Sequence, residues 1–258
     1  MDGFFTRRRL PHWDVPVATY FVTSCLAGSI PAIGLRELQE YRDLINARPR
    51  PETMSLADWE RYKHKLIFAK LDEWLDGKPA VRRFENADIA KIVQDSLYHF
   101  AGVRYHLLAY VIMPSHLHWV FHPIEPVGQG ARLYVRAVRP GEKPAPRTAP
   151  GGTPAPRRIR SPREKIMHSM KSFTSHQCVR VLKQKQPFWQ DESYDHWVRD
   201  DDELLRIIEY IEQNPVKAGL VASADEFQFS SAFDRRQFGI ALGDPLIRRR
   251  GAGVSPVR

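Results

Sequence analysis

The stretch YHLLAYVIMPSHLHWVFH, residues 105–122, decides the fold. From Tyr105 to Met113 it is apolar almost throughout, as a central strand buried on both faces requires. Pro114-Ser115 interrupts the run, and His116 to His122 resumes it as a second strand. Two strands around a proline-containing turn predict a hairpin or bulged pair. In a strand, side chains at i and i+2 share a face. His116 and His118 therefore converge on one side of the sheet while Leu117 packs into the other. The pair fits a metal site, and it equally fits two ordinary strand histidines. His122 lies on the same face but further along, in a supporting position at most.

Towards the N-terminus, Val17-Ala18-Thr19-Tyr20-Phe21-Val22-Thr23 is β-branched and aromatic and predicts a strand, closed by Gly28 and Pro31. Leu35, Leu38, Tyr41, Leu44 and Ile45 recur at three-to-four spacing and predict a helix over about 35–46, broken by Pro49 and Pro51. Ser55 suits the N-cap of a second helix through Trp59, Tyr62, Leu66 and Trp74, ending near Gly77 and Pro79. A third helix is expected from Asn86 to Phe100. Towards the C-terminus, Ser161-Pro162-Arg163-Glu164 offers an N-cap, a first-turn proline and a capping-box glutamate. Ile166, Met170, Phe173, Val179 and Leu182 supply that helix's apolar surface. Tyr194 to Arg199 is short and β-favouring. Asp200 to Glu203 then puts negative charge at the start of a helix carrying Tyr210, as the helix dipole prefers. Asn214-Pro215 is expected to break that helix, with Gly219 following.

Strand, helices, two strands, helix, short strand, helix is an order that suits an α+β fold. A ferredoxin-like antiparallel sheet with helices packed on it is compatible with it. Residues 1–123, with a helical region at about 35–80, and residues 163–242 read as two parts of one domain. Between them, 124–162 is rich in Pro, Gly and Arg, with Arg132, Arg136, Arg139, Lys143, Arg147, Arg157, Arg158 and Arg160 against only Glu125 and Glu142. Such a segment cannot bury enough apolar surface to order itself and reads as a flexible basic insertion. Residues 243–258 form an arginine-rich tail expected to fray.

The formal net charge of +9 points to an anionic polymer as partner, nucleic acid first, although a merely basic protein would look the same. Cys25 and Cys178 form neither a disulfide framework nor a zinc pattern, so a reducing cytoplasm is expected. No apolar run follows Arg7-Arg8-Arg9 as an export signal requires, and none is long enough to span a membrane.

The second informative stretch is YIEQNPVKAGL, residues 210–220. At about 100° per residue, Leu204, Leu205, Ile207, Ile208 and Ile211 form an apolar arc, with Tyr210 and Asn214 together at its edge, one turn apart. A boundary tyrosine and a helix-end asparagine would look the same. Taken with the histidines, however, these residues offer a reaction. A divalent cation polarises a phosphodiester, a tyrosine oxygen attacks phosphorus, and a covalent phosphotyrosyl link keeps the strand available for rejoining. Two imidazoles and an amide oxygen suit Mg2+ or Mn2+.

At these residues the chain resembles the REP-associated tyrosine transposases, a branch of the single-tyrosine HUH transposases with an IS200-like domain. The blocks are RLPHW (9–13), YFVT (20–23), MPSHLH (113–118), SFT (172–174), FWQDESYDH (188–196) and YIEQNPVKAGL (210–220), in the family's order. The resemblance implies an HUH nuclease fold, His116 and His118 as metal ligands, Tyr210 as nucleophile and Asn214 as third ligand, where wider relatives use Gln. Tyr194 is the rival nucleophile, outside the family's position. It also implies single-stranded, hairpin-forming repetitive DNA as substrate, in the bacterial cytoplasm at the nucleoid. The region at 35–80 and the 124–162 insertion depart from the pattern. Lys165, Lys171, Arg180, Lys183 and Lys185 on or near one helix could track a DNA backbone, with Trp189 or Phe188 as a stacking surface. A solvated helix face and core aromatics would fit equally. Two other classes compete: a binding protein that holds DNA hairpins without cutting, and a metal-dependent hydrolase in which water attacks. Nothing in the chain chooses between monomer and homodimer.

Overall fold

The computed structural model describes residues 4–7, 11–14, 18–77, 79–124, 160–184 and 187–247. Its elements are β1 (Phe4–Arg7), β2 (Pro11–Asp14), β3 (Thr19–Leu26), α1 (Ala32–Ala47), α2 (Leu56–Asp76), α3 (Ala87–His99), β4 (Tyr105–Met113), β5 (His116–Pro123), α4 (Pro162–Leu182), β6 (Trp189–Val198), α5 (Asp201–Lys217) and α6 (Ser231–Phe238). β1 and β2 pair as a separate hairpin that the sequence reading did not anticipate. The main sheet runs β4-β5-β3-β6, every neighbour antiparallel. β3 and β4 are thus parallel to each other with β5 between them, the split arrangement of a ferredoxin-like α+β fold.

Local signals set the helices. Ser55 accepts from the Asp58 N–H, Asn86 from those of Asp88 and Ile89, and Asp200 from that of Glu203. Ser161 and Glu164 form the expected reciprocal capping box. Pro215 does not break α5, which continues to Lys217. A proline removes its own N–H from the ladder and crowds the carbonyl four residues back, yet here it sits in the last turn, which closes beyond it. Ala218 donates to the Asn214 carbonyl, Leu220 to that of Pro215, and Gly219 adopts φ +67°.

Each face of the sheet carries its own apolar layer. On one, Val22, Tyr110, Ile112, Leu117, Trp119 and Phe121 meet Ile89, Val93 and Leu97 of α3 and Ile166 and Met170 of α4. On the other, Phe21, Ala109, Val111 and Val120 meet Ile208 and Ile211 of α5, with Phe68 and Leu71 of α2. β4 contributes to both layers and carries a bulge. Leu107 pairs with Phe121 and Ala109 with Val120, so Leu108 is the extra residue and the side-chain alternation reverses there.

Although apolar enough for a central strand, β4 lies at the edge of the sheet. Its open side is covered by the C-terminal segment. Ile112 N–H donates to Phe229 O at 2.9 Å, and Leu246 N–H to Leu107 O at 2.7 Å. Such covering satisfies backbone groups that a bare edge would leave exposed. It also holds the chain beyond Gly243, where fraying was expected: Leu246 is fully buried. Arg235 of α6 fastens this corner. Its guanidinium donates to Glu212 Oε1 (3.0 Å), to Leu108 O (2.5 Å), to Asp244 O (3.3 Å) and to Ala241 O. Residues 125–159 and 248–258, which hold most of the expected insertion and tail, lie outside the described residues. Among the described residues no helix is long and apolar enough to cross a membrane.

Candidate functional site

Strand register places the two histidines. His116 stands opposite Cys25 and His118 opposite Thr23 on β3, and both imidazoles point into the layer beneath α5 and α2 while Leu117 faces α3 and α4. The rings lie 4.5 Å apart between centroids, and neither residue is more than 1% exposed. His118 Nδ1 is 2.7 Å from Thr23 Oγ1, and His116 Nδ1 is 2.9 Å from Ser115 Oγ. The tautomer that donates from Nδ1 to these hydroxyls leaves a lone pair on each Nε2, and neither Nε2 has a partner. Burial drives both imidazoles towards the neutral form. It holds His118 down at about 3, helped by the Lys217 ammonium, and His116 well below its ordinary value, helped by His118.

Asn214 is also buried, and neither its Oδ1 nor its Nδ2 makes a well-formed hydrogen bond. It stands one turn beyond Tyr210 on α5, the helix laid across β4 and β5. A buried polar atom without a partner costs about 1–3 kcal/mol, so such atoms are few unless a ligand completes them. Among the described residues, the other two are His106 Nδ1 and Trp119 Nε1, and Trp119 belongs to the opposite layer. Neutral imidazole nitrogens whose second ring nitrogen is held in place, with an amide oxygen nearby, are donors that fit a divalent cation. No group of three His, Cys, Asp or Glu side chains among the described residues has metal-binding geometry, and the buried, unpartnered Asn214 amide is a candidate for a third donor of another kind.

Tyr210 is half-buried beside the histidines, its ring 5.6 Å from that of His118 and packed edge-on against Phe21 and Phe68. Its hydroxyl donates to Asp72 Oδ1 at 2.6 Å. Burial, reinforced by the Asp72 carboxylate, pushes the hydroxyl far above its ordinary value, while the nearby Asn214 amide works the other way. Lys217 bridges Asp72 Oδ2 (3.2 Å) and Asp76 Oδ2 (2.5 Å). α2, part of the helical region at 35–80, therefore reaches the centre of the site. Asp72, Phe68, Thr23, Ser115 and Lys217 were not singled out from sequence. Thr23, Ser115 and Lys217 lie inside the quoted sequence blocks but carried no role there, and for Asp72 the one available signal was its spacing from Asp76, which puts both carboxylates on one helix face.

The remaining candidates separate clearly. Tyr194 faces the same layer from β6, opposite Thr23, but is buried, with its hydroxyl 3.4 Å from the His64 carbonyl. His122 pairs with Thr19 Oγ1 at 3.1 Å and stacks on His106, in neither case with the histidine pair. Lys165, Arg180 and Lys183 are exposed on or just past α4. Lys171 is tied down, its ammonium donating to Gln190 O at 2.6 Å and Ser193 Oγ at 3.2 Å. Trp189 and Phe188 offer no stacking surface, because both are buried in the α3/α4 layer and Trp189 Nε1 donates to Thr174 Oγ1 at 2.8 Å. Phe173 is the aromatic that α4 exposes, at 52%, where a core position was expected. Lys185 lies outside the described residues.

No family model matches the chain, and no curated protein matches it in sequence. Among solved structures, the chain is similar to a REP-associated tyrosine transposase bound to a REP hairpin. The identity is 14% and the TM-score 0.44, over 95% of each chain.

Proposed function

We propose that the chain cuts and rejoins single-stranded or hairpin DNA with Tyr210 as nucleophile, through a covalent 5′-phosphotyrosyl intermediate. One observation carries the reading. The unpartnered Nε2 atoms of His116 and His118 and the unpartnered amide of Asn214 are buried in the layer that holds the Tyr210 ring. These three side chains would hold Mg2+ or Mn2+. When bound, the cation polarises a non-bridging phosphate oxygen and offsets charge in the transition state.

The chain's own residues supply the rest. β5 fixes the imidazoles on one face, and the Thr23 and Ser115 hydroxyls hold the rings in orientation. Phe21 and Phe68 confine the tyrosine ring, so its oxygen samples few directions. That oxygen attacks phosphorus, the bond to the 3′ oxygen breaks, and the freed 3′-hydroxyl stays available to reverse the step on another strand. A net charge of +9 and the exposed Lys165, Arg180, Lys183 and Phe173 support an extended, flexible polyanion with stackable bases as substrate.

The test is to incubate a labelled hairpin oligonucleotide with Mn2+ and resolve the products on denaturing gels. Wild type is expected to form a covalent adduct. Tyr210→Phe, which keeps the ring packing, should form none while still retarding the DNA on native gels. Adduct formation by the Phe variant overturns the assignment and moves attention to Tyr194. Free cleaved product without adduct indicates attack by water, and retarded but uncut DNA indicates a binding protein.

A further inference from the structure

We infer that Asp72 is the general base that takes the proton from Tyr210. The inference rests on the reading of Tyr210 as nucleophile and adds to it a residue from α2. Three observations converge. The tyrosine hydroxyl points at Asp72 Oδ1 across 2.6 Å, within reach of direct proton transfer. Asp72 is itself 8% exposed, so its partner is set by the protein. The carboxylate is oriented from behind, because Lys217 donates to Oδ2 at 3.2 Å and is itself held by Asp76 at 2.5 Å. Nucleophile, acceptor and a third group that orients the acceptor form the arrangement that activates a hydroxyl.

The proton passes directly between two oxygens that stand 2.6 Å apart. In balance, the Tyr210 O–H bond breaks and its proton goes to Asp72 Oδ1. The tyrosine oxygen bonds to phosphorus, the P–O3′ bond breaks with its electron pair on the 3′ oxygen, and that oxygen is protonated by water. On rejoining, the 3′-hydroxyl attacks phosphorus and gives its proton to water, the phosphotyrosyl bond breaks, and Asp72 returns its proton to the tyrosine oxygen. Lys217, joined to the same carboxylate, keeps it in place through both directions of the reaction.

The test measures single-turnover adduct formation on a hairpin oligonucleotide with the full chain, using Asp72→Asn and Asp72→Ala. Asparagine preserves shape and an acceptor oxygen but cannot take the proton. Its rate is expected to fall about 10²- to 10⁴-fold, the usual contribution of a positioned base, with hairpin affinity unchanged. Alanine leaves a gap that a small carboxylate can enter. Added formate should therefore raise the rate of Asp72→Ala and leave that of Asp72→Asn unaltered. An Asn variant as fast as wild type, or an Ala variant that formate does not accelerate, overturns the inference. Tyr210→Phe run in parallel separates the two levels. If it still forms adducts, the nucleophile reading fails and the Asp72 role falls with it. If it does not, a negative result at Asp72 counts against Asp72 alone.

Discussion

Replacing Thr23 by valine removes one hydroxyl from beneath the site and little else. The two side chains share a shape, so packing between Phe21 and Cys25 persists while the oxygen 2.7 Å from His118 Nδ1 becomes a methyl group. Both residues are fully buried, so solvent does not replace the lost partner. A buried polar nitrogen left unpaired costs about 1–3 kcal/mol. At about 2–4 °C per kcal/mol for a protein of this size, Tm should drop by about 2–12 °C. The second effect falls on the free nitrogen. Without Thr23 the imidazole loses the contact that fixes its rotation, and supporting contacts of this kind typically change metal affinity by about 10- to 100-fold. Scanning calorimetry reads the first effect, and a Mn2+ titration followed by electron paramagnetic resonance reads the second. A variant with unchanged Tm and unchanged Mn2+ affinity would refute the claim that Thr23 aims His118 at a cation.

Other changes probe other links. His116→Ala and His118→Ala should each weaken Mn2+ binding and abolish DNA cleavage, since either loss leaves too few donors; wild-type cleavage that persists in excess EDTA would refute the site. Gly34→Ala places a Cβ 2.9 Å from the Trp74 ring, so α1 and α2 must separate at a cost of about 1–3 kcal/mol, and a melting curve identical to wild type would contradict that packing. Glu203 accepts from His196 Nε2 (3.0 Å) and Arg199 N–H (2.9 Å); burial pushes its carboxyl up, but these contacts outweigh it and bring the value to about 2 from an ordinary 4.5. Because the folded-state value is the lower, the stabilisation is complete above pH 4.5 and is lost as pH falls towards 2. The stability advantage of wild type over Glu203→Gln should therefore shrink across that interval in urea titrations at stepped pH, and a constant advantage would count against the pairing.

What the sequence revealed of the site, it revealed through short-range geometry. Strand alternation puts His116 and His118 on one face whatever lies opposite, and helical spacing puts Tyr210 and Asn214 one turn apart. The capping residues Ser55 and Ser161 could be identified for the same reason. Partners supplied by a distant segment could not be. Asp72 is 138 residues from Tyr210, and nothing in the α2 pattern says which surface it will cover. Apolar character gave β4 two buried faces but could not say whether its open edge meets a strand or the backbone of residues 229–246. Trp189 shows the same limit, since burial under Thr174 depends on how α4 crosses the sheet. Pro215 misled differently: its local rule is sound, yet the turn after it closed with other bonds.

Arg235 has a consequence in time. Its guanidinium joins Glu212 on the helix that carries Tyr210 to the Leu108 carbonyl in the β4 bulge, and it is made after both. During synthesis from the N-terminus, α5 and the sheet exist while their common donor does not. Glu212 is then a carboxylate against an apolar layer without its cation, a state that opposes close seating of the helix. The polar tie between helix and sheet forms when residues 231–247 emerge and fold back along the edge of β4. The setting of Tyr210 is thus completed by residues that follow it in the chain.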